Sequence, residues 1–291
     1  MPKINIYHID SEWPNHRDKE EKIEQTDKLL KKLNRLQAIF NAQKKYAMLV
    51  VLQWLDASWK DGVCKKVFGG LNPLNIDFMS WKAPTSFEKD HDYLWRIHYK
   101  LPQKGFIQVF NRSYYEDILV PTVLKTHDKE TIKKRYDHIN WFERYMRDNG
   151  IILVKCYFSV SEKVQKERME ERLQNPEKYR KHNDNDRETL EMRDKYLDVY
   201  QDILNTCDDP KWHFVPADHN RQKNYVVTKI LYEELKQLDL ERPWLDTTWT
   251  LEEYLDKIEN VDDIKEFRAK FESEGEPKED IKQWGKKGKK K

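Results

Sequence analysis

The sequence lacks a long apolar run and a paired set of cysteines, and each absence excludes a class of protein. Its longest apolar run, Ala47 to Leu55, is far shorter than the roughly 20 residues that span a bilayer. Its three cysteines, Cys64, Cys156 and Cys207, are widely spaced and outside any C-x-x-C pair. We therefore expect no membrane partner, no disulfide framework and no structural zinc site, and we predict that the cysteines are buried reduced thiols.

The sequence also lacks a strong net charge and a signal peptide. Lysine and arginine total 54 and aspartate and glutamate total 52, which leaves a formal charge of +2. So small a charge attracts a polyanion only weakly at long range, and any phosphate-binding field must be local. The lysines of residues 286–291 predict a solubilising tail first and a polyanion contact second. Met1 to Asp10 has no signal-peptide hydrophobic region, so a cytoplasmic location is expected.

What the sequence does contain is a regular alternation of strand and helix patterns. Ala47 to Leu55 is rich in valine and leucine and predicts a fully buried parallel strand. Further strands are predicted at Ile76–Trp81, Phe106–Phe110, Ile151–Val160 and Trp212–Val215. Helices are predicted at Glu20–Tyr46, Lys60–Leu71, Phe87–Leu101, Tyr114–Val120, Lys129–Asn149 and Asn224–Leu238. This alternation is typical of right-handed βαβ units, so the predicted fold is α/β, with a doubly wound parallel sheet covered by helices on both faces.

The chain is long enough for one large α/β domain with appendages. The predicted parts are an N-terminal helical arm at 1–46, a core at 47–245, and a helical and lysine-rich C-terminal part at 246–291. Within the core, residues 162–207 form a charged insertion with helical spacing between the last two strands. It could fold as a mobile helical lid that excludes water, or as an ornamental helical hairpin. Spacing alone leaves both open.

The first candidate site follows the first strand, at Asp56 to Gly62. A lysine at a strand-to-helix turn, here Lys60, sits beside backbone N–H groups and the positive end of a helix, where a phosphate fits. An ordinary P-loop has glycine directly before this lysine and another glycine five residues earlier. Here Trp59 and Trp54 occupy those positions, so the motif alone fails.

The second candidate site follows the strand Phe106–Phe110. We expect it beside the first, because parallel strands bring their carboxyl ends to one edge of the sheet. It offers Arg112 for bidentate phosphate contact, and Glu116 and Asp117 for Mg²⁺ ligation or for positioning water. The two carboxylates could instead be favourable partners of a helix dipole.

Several segments in order resemble family-2 polyphosphate kinases. They are LQWLDASWKDGVCKKVFGGLNP from Leu52, SWKAPTSFEKDHDYLW from Ser80, VFNRSYYEDILV from Val109, SEKVQKERMEERL from Ser161 and WHFVPAD from Trp212. The similarity spans about Ala47 to Trp244, and its motifs most resemble those of the subgroup that acts on both AMP and ADP. It implies a P-loop kinase of the thymidylate-kinase-like type with a helical lid. Such an enzyme moves the terminal phosphate between inorganic polyphosphate and adenine or guanine nucleotides with Mg²⁺, or Mn²⁺ in its place, as a homo-oligomer.

The resemblance also implies roles for residues of this sequence. It makes Asp56 and Asp117 the metal and phosphate-positioning carboxylates. It places Lys60 and Arg112 on the transferring phosphoryl group, with Glu116 beside them. The phosphate and polyphosphate contacts that it implies are Ser58, Asp61, Gly62, Lys65, Lys66, Lys82, Asn111, Arg168, Arg172 and Lys181. Independently of the resemblance, Arg168 and Arg172 are four residues apart and share a helix face, which suits a repeating polyanion or a surface pairing with glutamates.

The tryptophans of the loop leave two hypotheses open. In the first, the loop is remodelled, the indoles stack outward or on a base, and the protein is an active kinase. In the second, Trp59 costs about 1 to 2 kcal/mol in a left-handed conformation and competes with phosphate for space, so the protein is an impaired relative that binds polyphosphate or nucleotide as a partner. Retention of Asp56, Lys60, Arg112, Glu116 and Asp117 favours the first. A nucleotide kinase with ATP as donor and a nucleic-acid-binding scaffold are further alternatives, although the tryptophans are not grouped with basic stripes, so no nucleic acid is expected.

Overall fold

The computed structural model of the chain describes residues 3–12, 19–55, 60–175 and 190–241. The strands are β1 Ala47–Trp54, β2 Ile76–Ser80, β3 Ile107–Asn111, β4 Ile151–Ser159 and β5 Trp212–Pro216. The helices are α1 Lys19–Gln43, α2 Lys60–Lys66, α3 Ser86–Lys89, α4 Trp95–His98, α5 Glu116–Val123, α6 Lys129–Asp148, α7 Glu162–Gln174, α8 Arg193–Thr206 and α9 Asn220–Lys236. All of them belong to one compact unit, Met1–Pro243.

The strands form one parallel sheet in the order β2-β3-β1-β4-β5. The order reverses at β1, which pairs with β3 on one side and with β4 on the other. Every residue of β1 is buried, as its almost entirely apolar sequence requires when helices cover both faces. The predicted α/β class and doubly wound parallel sheet are confirmed.

Alternate residues of β1 enter two separate halves of the core. Ala47, Leu49 and Val51 lie in the half that contains α5, α6 and α8. Met48, Val50 and Leu52 lie in the half that contains α1, α2 and α9. Because successive side chains of a strand point to opposite faces, one apolar strand supplies both halves.

The predicted strands and most of the predicted helices are confirmed within a few residues. The single helix predicted at Phe87–Leu101 is wrong, because this segment contains two four-residue helices, α3 and α4. Thr85 and Glu88 form a capping box that starts α3. The side chain of Asp92 then accepts a hydrogen bond from the amide of Leu94 at 3.0 Å, and this local turn separates the helices.

Two other predictions have partial outcomes. Cys156 and Cys207 are buried, as predicted, and burial raises the pKa of each thiol to about 12, whereas Cys64 is only half-buried.

In the described part of the chain, no helix has both the length and the apolar character that a membrane crossing requires. The predicted C-terminal part, 246–291, and the middle of the insertion, 176–189, lie outside the described residues.

Candidate active site

The carboxyl ends of β1 and β3 lie side by side, as the sequence predicts. Asn111, the last residue of β3, is level with Leu52 of β1, and the amide of Arg112 donates to the Leu52 carbonyl at 3.0 Å. Arg112 has a φ of 63°, in the left-handed region. The chain therefore turns sharply at Arg112 and brings the start of α5 to the end of β1.

Arg112 and Glu116 are paired at this edge. Nη1 of Arg112 lies 3.5 Å from Oε2 of Glu116, and both side chains are mostly shielded from solvent. The other carboxylate oxygen of Glu116 accepts a hydrogen bond from Nε2 of Gln53, a fully buried residue of β1. The guanidinium is therefore held next to the sheet edge, where it can neutralise a phosphoryl group.

Asp117 is held by two arginines. Nη2 of Arg96, on α4, lies 3.6 Å from Oδ2 of Asp117, and Arg135, on α6, donates to its backbone oxygen. Burial raises the pKa of Asp117, and the positive charges of Arg96 and Arg135 oppose that rise. Arg96 is itself buried; its guanidinium lies 5.2 Å from the centre of the Trp81 ring and donates to the carbonyl of Lys82 at 2.9 Å.

Two oxygen atoms at this edge suit a divalent cation. Oδ1 of Asn111 is buried and accepts no hydrogen bond among the described residues, and Oδ2 of Asp117 is buried with only the longer ion-pair contact to Arg96 at 3.6 Å. Buried acceptors without a donor are costly, and oxygen atoms are the ligands that Mg²⁺ prefers. Within the described residues no group of three or more histidines, cysteines and carboxylates can hold a metal. These oxygens fit a metal that takes most of its other ligands from phosphates and water.

The first candidate site is described only in part. Asp56, Ser58 and Lys181 lie outside the described residues, as do the side chains of Lys60 and Asp61. The lysine does begin a helix, since α2 starts at Lys60. A β-carbon at Gly62, in the first turn of α2, would lie 3.7 Å from Oδ1 of Asn220, so this turn faces the start of α9.

The predicted basic contacts have different surroundings. Lys65 and Lys82 are exposed, and Lys66 is exposed and pairs with Asp27 of α1 at 2.8 Å. Arg168 of α7 is buried and donates to the carbonyls of Ala217 and Asp218 at 2.9 and 2.8 Å. Burial lowers the pKa of Arg168.

Arg168 takes part in a joint at the base of the insertion. Asp218, just after β5, accepts hydrogen bonds from the amide of Ser161 at 2.8 Å and from the hydroxyl of Ser11 at 2.9 Å. Arg193 of α8 donates to Gln165 of α7 at 2.7 Å and to the Val160 carbonyl at 3.0 Å. The joint fixes α7 and α8 at the carboxyl edge of β4 and β5, while Arg172, one turn further along α7, is half-buried.

Trp54 is the last residue of β1, and its indole lies in the core. It is 4% exposed and meets the Phe158 ring edge to face, with 6.1 Å between the ring centres. The hypothesis that this indole stacks outward or on a nucleotide base is therefore wrong for Trp54. The reason is geometric, because the residue remains in the strand and its side chain follows the alternation of β1. Trp59 lies outside the described residues.

A buried ionic network holds the segment that carries the second candidate site. Oε2 of Glu143, on α6, accepts from the ammonium of Lys155, on β4, at 2.8 Å, and both side chains are fully buried. Oε1 of Glu143 accepts from the hydroxyls of Tyr114 and Tyr115, at 2.7 and 2.5 Å. These tyrosines directly precede Glu116 and Asp117, so the network fixes the turn that carries both carboxylates.

The sequence reasoning missed Gln53, Arg96, Glu143 and Lys155. Gln53 and Lys155 had a signal, because each is a polar residue inside an otherwise apolar strand pattern. Arg96 and Glu143 had none, because each lies among many charged residues and only the tertiary structure shows that it is buried.

The chain matches a described protein family over most of its length. The sequence profile of Polyphosphate kinase 2 (PPK2) matches residues 16–243. An AMP/ADP-polyphosphate phosphotransferase of Meiothermus ruber is 38% identical over 221 residues, which cover 75% of this chain and 83% of the relative. An ADP-polyphosphate phosphotransferase of Rhodopseudomonas palustris is 33% identical over 228 residues, 74% of this chain and 79% of the relative.

A solved structure has the same architecture. The crystal structure of Polyphosphate Kinase 2 from Arthrobacter aurescens superimposes with a TM-score of 0.81 at 29% sequence identity, over 87% of this chain and 92% of that chain. The likeness therefore extends over most of both chains.

Proposed function

The chain belongs to the polyphosphate kinase 2 family, and on that premise we propose that it moves the terminal phosphate between inorganic polyphosphate and AMP or ADP. The observation that carries the proposal is the position of Arg112 and Glu116 directly beside the end of β1, with Asp117 next to Glu116 in the chain. Phosphoryl transfer needs mainly positioning and neutralisation of charge, and these side chains supply both.

The proposed roles of Arg112 and Asp117 are supported by their contacts, and those of Asp56 and Lys60 by the resemblance. Arg112, oriented by Glu116, neutralises the phosphoryl oxygens. Asp117 stays next to the reacting groups because Arg96 and Arg135 fix its side chain and its backbone. Asp56 and Lys60 complete the site in this proposal, as the resemblance implies, with Ser58, Asp61 and Gly62 around the phosphates.

A divalent cation belongs to the proposal, with Mg²⁺ as the first choice and Mn²⁺ as its substitute. Asn111 Oδ1 and Asp117 Oδ2 would hold it, together with Asp56. When bound, such an ion offsets the negative charge of the phosphates. The residues of the chain keep their own task of orienting the two substrates.

The polyphosphate path runs, in this proposal, over exposed lysines of α2 and the basic residues of the insertion. Lys65 and Lys66 lie one turn beyond the start of α2 and are open to solvent. Arg172 and Lys181 contribute from the insertion, which we propose acts as a lid. Arg168 contributes to the path indirectly, because its guanidinium binds two carbonyls at the base of that lid.

A homo-oligomer in the cytoplasm is the remaining part of the proposal. Several aromatic side chains are more than a third exposed, which suits a subunit interface. They are Phe87, Trp95, Tyr99, Trp141 and Tyr145. Light scattering after size-exclusion chromatography tests the assembly, and an elution as a monomer would contradict it.

The test of the function is to incubate the purified protein with polyphosphate, Mg²⁺ and AMP or ADP, and to measure ATP. We expect ATP from the wild type and none when polyphosphate is left out. ATP made only after Trp59→Gly would establish instead the impaired relative, which nothing in the described residues favours. Guanine nucleotides, and ATP as donor to AMP, serve as comparison substrates that define the specificity.

A further inference from the structure

Gln53 joins three separate elements at the candidate site. It is fully buried near the end of β1. Its Nε2 donates to Glu116 of α5 and, at 3.1 Å, to the hydroxyl oxygen of Tyr200 on α8. Its Oε1 accepts from the hydroxyl of Ser113 at 3.2 Å. Both N–H donors of the amide are used, so its orientation is fixed by its partners.

Tyr200 connects Gln53 to the end of β1, where the proposed phosphate loop begins. Its hydroxyl donates to the backbone carbonyl of Trp54 at 2.9 Å, and the residue is fully buried. Burial and the nearby charge of Glu116 raise the pKa of Tyr200 well above its usual range, so the hydroxyl keeps the proton that it donates. One hydroxyl therefore contacts both the strand end that leads into residues 56–59 and the amide that orients Glu116.

The element that carries Tyr200 belongs to the insertion. Helix α8 is its returning helix, and its buried face packs in the half of the core that also contains α5. Its first turn is fixed to α7 and to the end of β4 by Arg193. A displacement of α8 would therefore move the Tyr200 hydroxyl away from Gln53 and from Trp54.

We propose that Tyr200 and Gln53 are positioning residues, through which the insertion sets the position of Glu116, and with it Arg112, relative to the start of the phosphate loop. The inference rests on the proposed function only for its kinetic test. Both side chains are fully buried, so we expect their loss to lower kcat and to leave the KM for polyphosphate nearly unchanged. The effect on kcat follows from misplacing groups by a fraction of an ångström, which can cost about 10- to 100-fold.

The test compares Tyr200→Phe with Tyr157→Phe. Tyr157 is a buried tyrosine on β4, and its ring centre lies 5.1 Å from that of Tyr200, but its hydroxyl is outside the connection described here. We expect Tyr200→Phe to lower kcat about 10-fold or more while the control stays within about twofold. Wild-type kcat in Tyr200→Phe, with only a lower melting temperature, would overturn the inference.

A double-mutant cycle asks whether Tyr200 acts through Glu116. If it does, the kcat of Tyr200→Phe/Glu116→Gln is close to that of Glu116→Gln alone. Losses that multiply would overturn the inference, because two independent effects would then be present.

Hydrogen exchange separates this inference from the proposed function. We expect faster exchange of the backbone amides of residues 112–118 in Tyr200→Phe than in the wild type or in Tyr157→Phe. If the wild type makes no ATP, the proposed function fails and the exchange data alone decide the inference. Unchanged exchange at residues 112–118 would overturn it in that case too.

Discussion

The carboxylate of Glu143 and the ammonium of Lys155 meet at 2.8 Å in a place where neither side chain is exposed to solvent. The three N–H groups of Lys155 are directed to Glu143, to the Cys207 carbonyl at 2.7 Å and to the Tyr115 hydroxyl at 3.3 Å. A buried pair of this kind costs desolvation, and its value lies in fixing its surroundings more than in net stability.

Removal of one partner of this pair should be far more harmful than removal of both. We expect Lys155→Met to lower the free energy of unfolding by about 3 to 5 kcal/mol, because it leaves the buried charge of Glu143 uncompensated. The double variant Lys155→Met/Glu143→Gln should recover a large part of that loss. Urea denaturation measures all three proteins, and equal losses in the single and double variants would contradict the prediction.

Arg96 should shift the pH dependence of kcat/KM through its effect on the pKa of Asp117. Burial raises the pKa of Asp117 and Arg96 opposes the rise, so Arg96→Met should raise that pKa further. If the reaction needs the carboxylate, the acid limb of kcat/KM moves to higher pH in the variant. Arg147→Met is the control, since that guanidinium binds Asp209 at 2.7 Å on another part of the surface, and an equal shift in the control would refute the role of Arg96.

The same raised pKa has a consequence for stability. A carboxyl whose pKa is higher in the folded state stabilises the fold below its unfolded pKa, about 3.9 for aspartate, and that contribution is lost as the pH rises through the folded pKa. This loss of stability with rising pH should be larger in Arg96→Met than in the wild type. Thermal unfolding at several pH values from 3.5 upward measures it, and parallel curves for the two proteins would count against the prediction.

Trp54 should be needed for stability although it stands where an ordinary P-loop has glycine. Trp54→Ala removes a buried indole and should lower the free energy of unfolding by about 3 to 5 kcal/mol. The control is Leu74→Ala, because the Leu74 side chain is 80% exposed and its truncation should cost less than about 1 kcal/mol. Similar losses in the two variants would show that the indole of Trp54 contributes little to the core.

Asp27 should weaken the proposed contact between α2 and polyphosphate. Asp27→Asn removes the partner of Lys66 and should lower the KM for polyphosphate about 2- to 5-fold at low salt, with little change in stability, because an exposed pair contributes less than about 1 kcal/mol. The control is Glu24→Gln, which breaks the exposed Glu24–Lys28 pair on the same helix. A KM that is the same in both variants would argue against a path over α2.

The sequence predicted the sheet well because its signals are local. The valine and leucine run of β1 shows directly that both faces of the strand are covered, and the structure has every residue buried. The sequence also predicted that Arg112 lies close to the end of β1, because parallel strands bring their carboxyl ends to one edge of a sheet.

The interior of the site could not be predicted in the same way. The partners of Gln53 are 60 to 147 residues away in sequence and those of Lys155 are 12 to 52 residues away, and no spacing encodes either set. The segment Phe87–Leu101 predicts a single helix because its apolar periodicity continues across Asp92. In the structure the helix is interrupted there, where the Asp92 side chain accepts a hydrogen bond from the amide of Leu94.

The backbone of Arg112 also sets a limit on improving this protein. A left-handed conformation costs a residue other than glycine about 1 to 2 kcal/mol. A search for heat-resistant variants would therefore favour Arg112→Gly, which relaxes the turn and at the same time removes the proposed phosphate-binding guanidinium. Stability and turnover are opposed at this residue, so heat resistance alone would select inactive proteins unless each variant is also assayed for turnover.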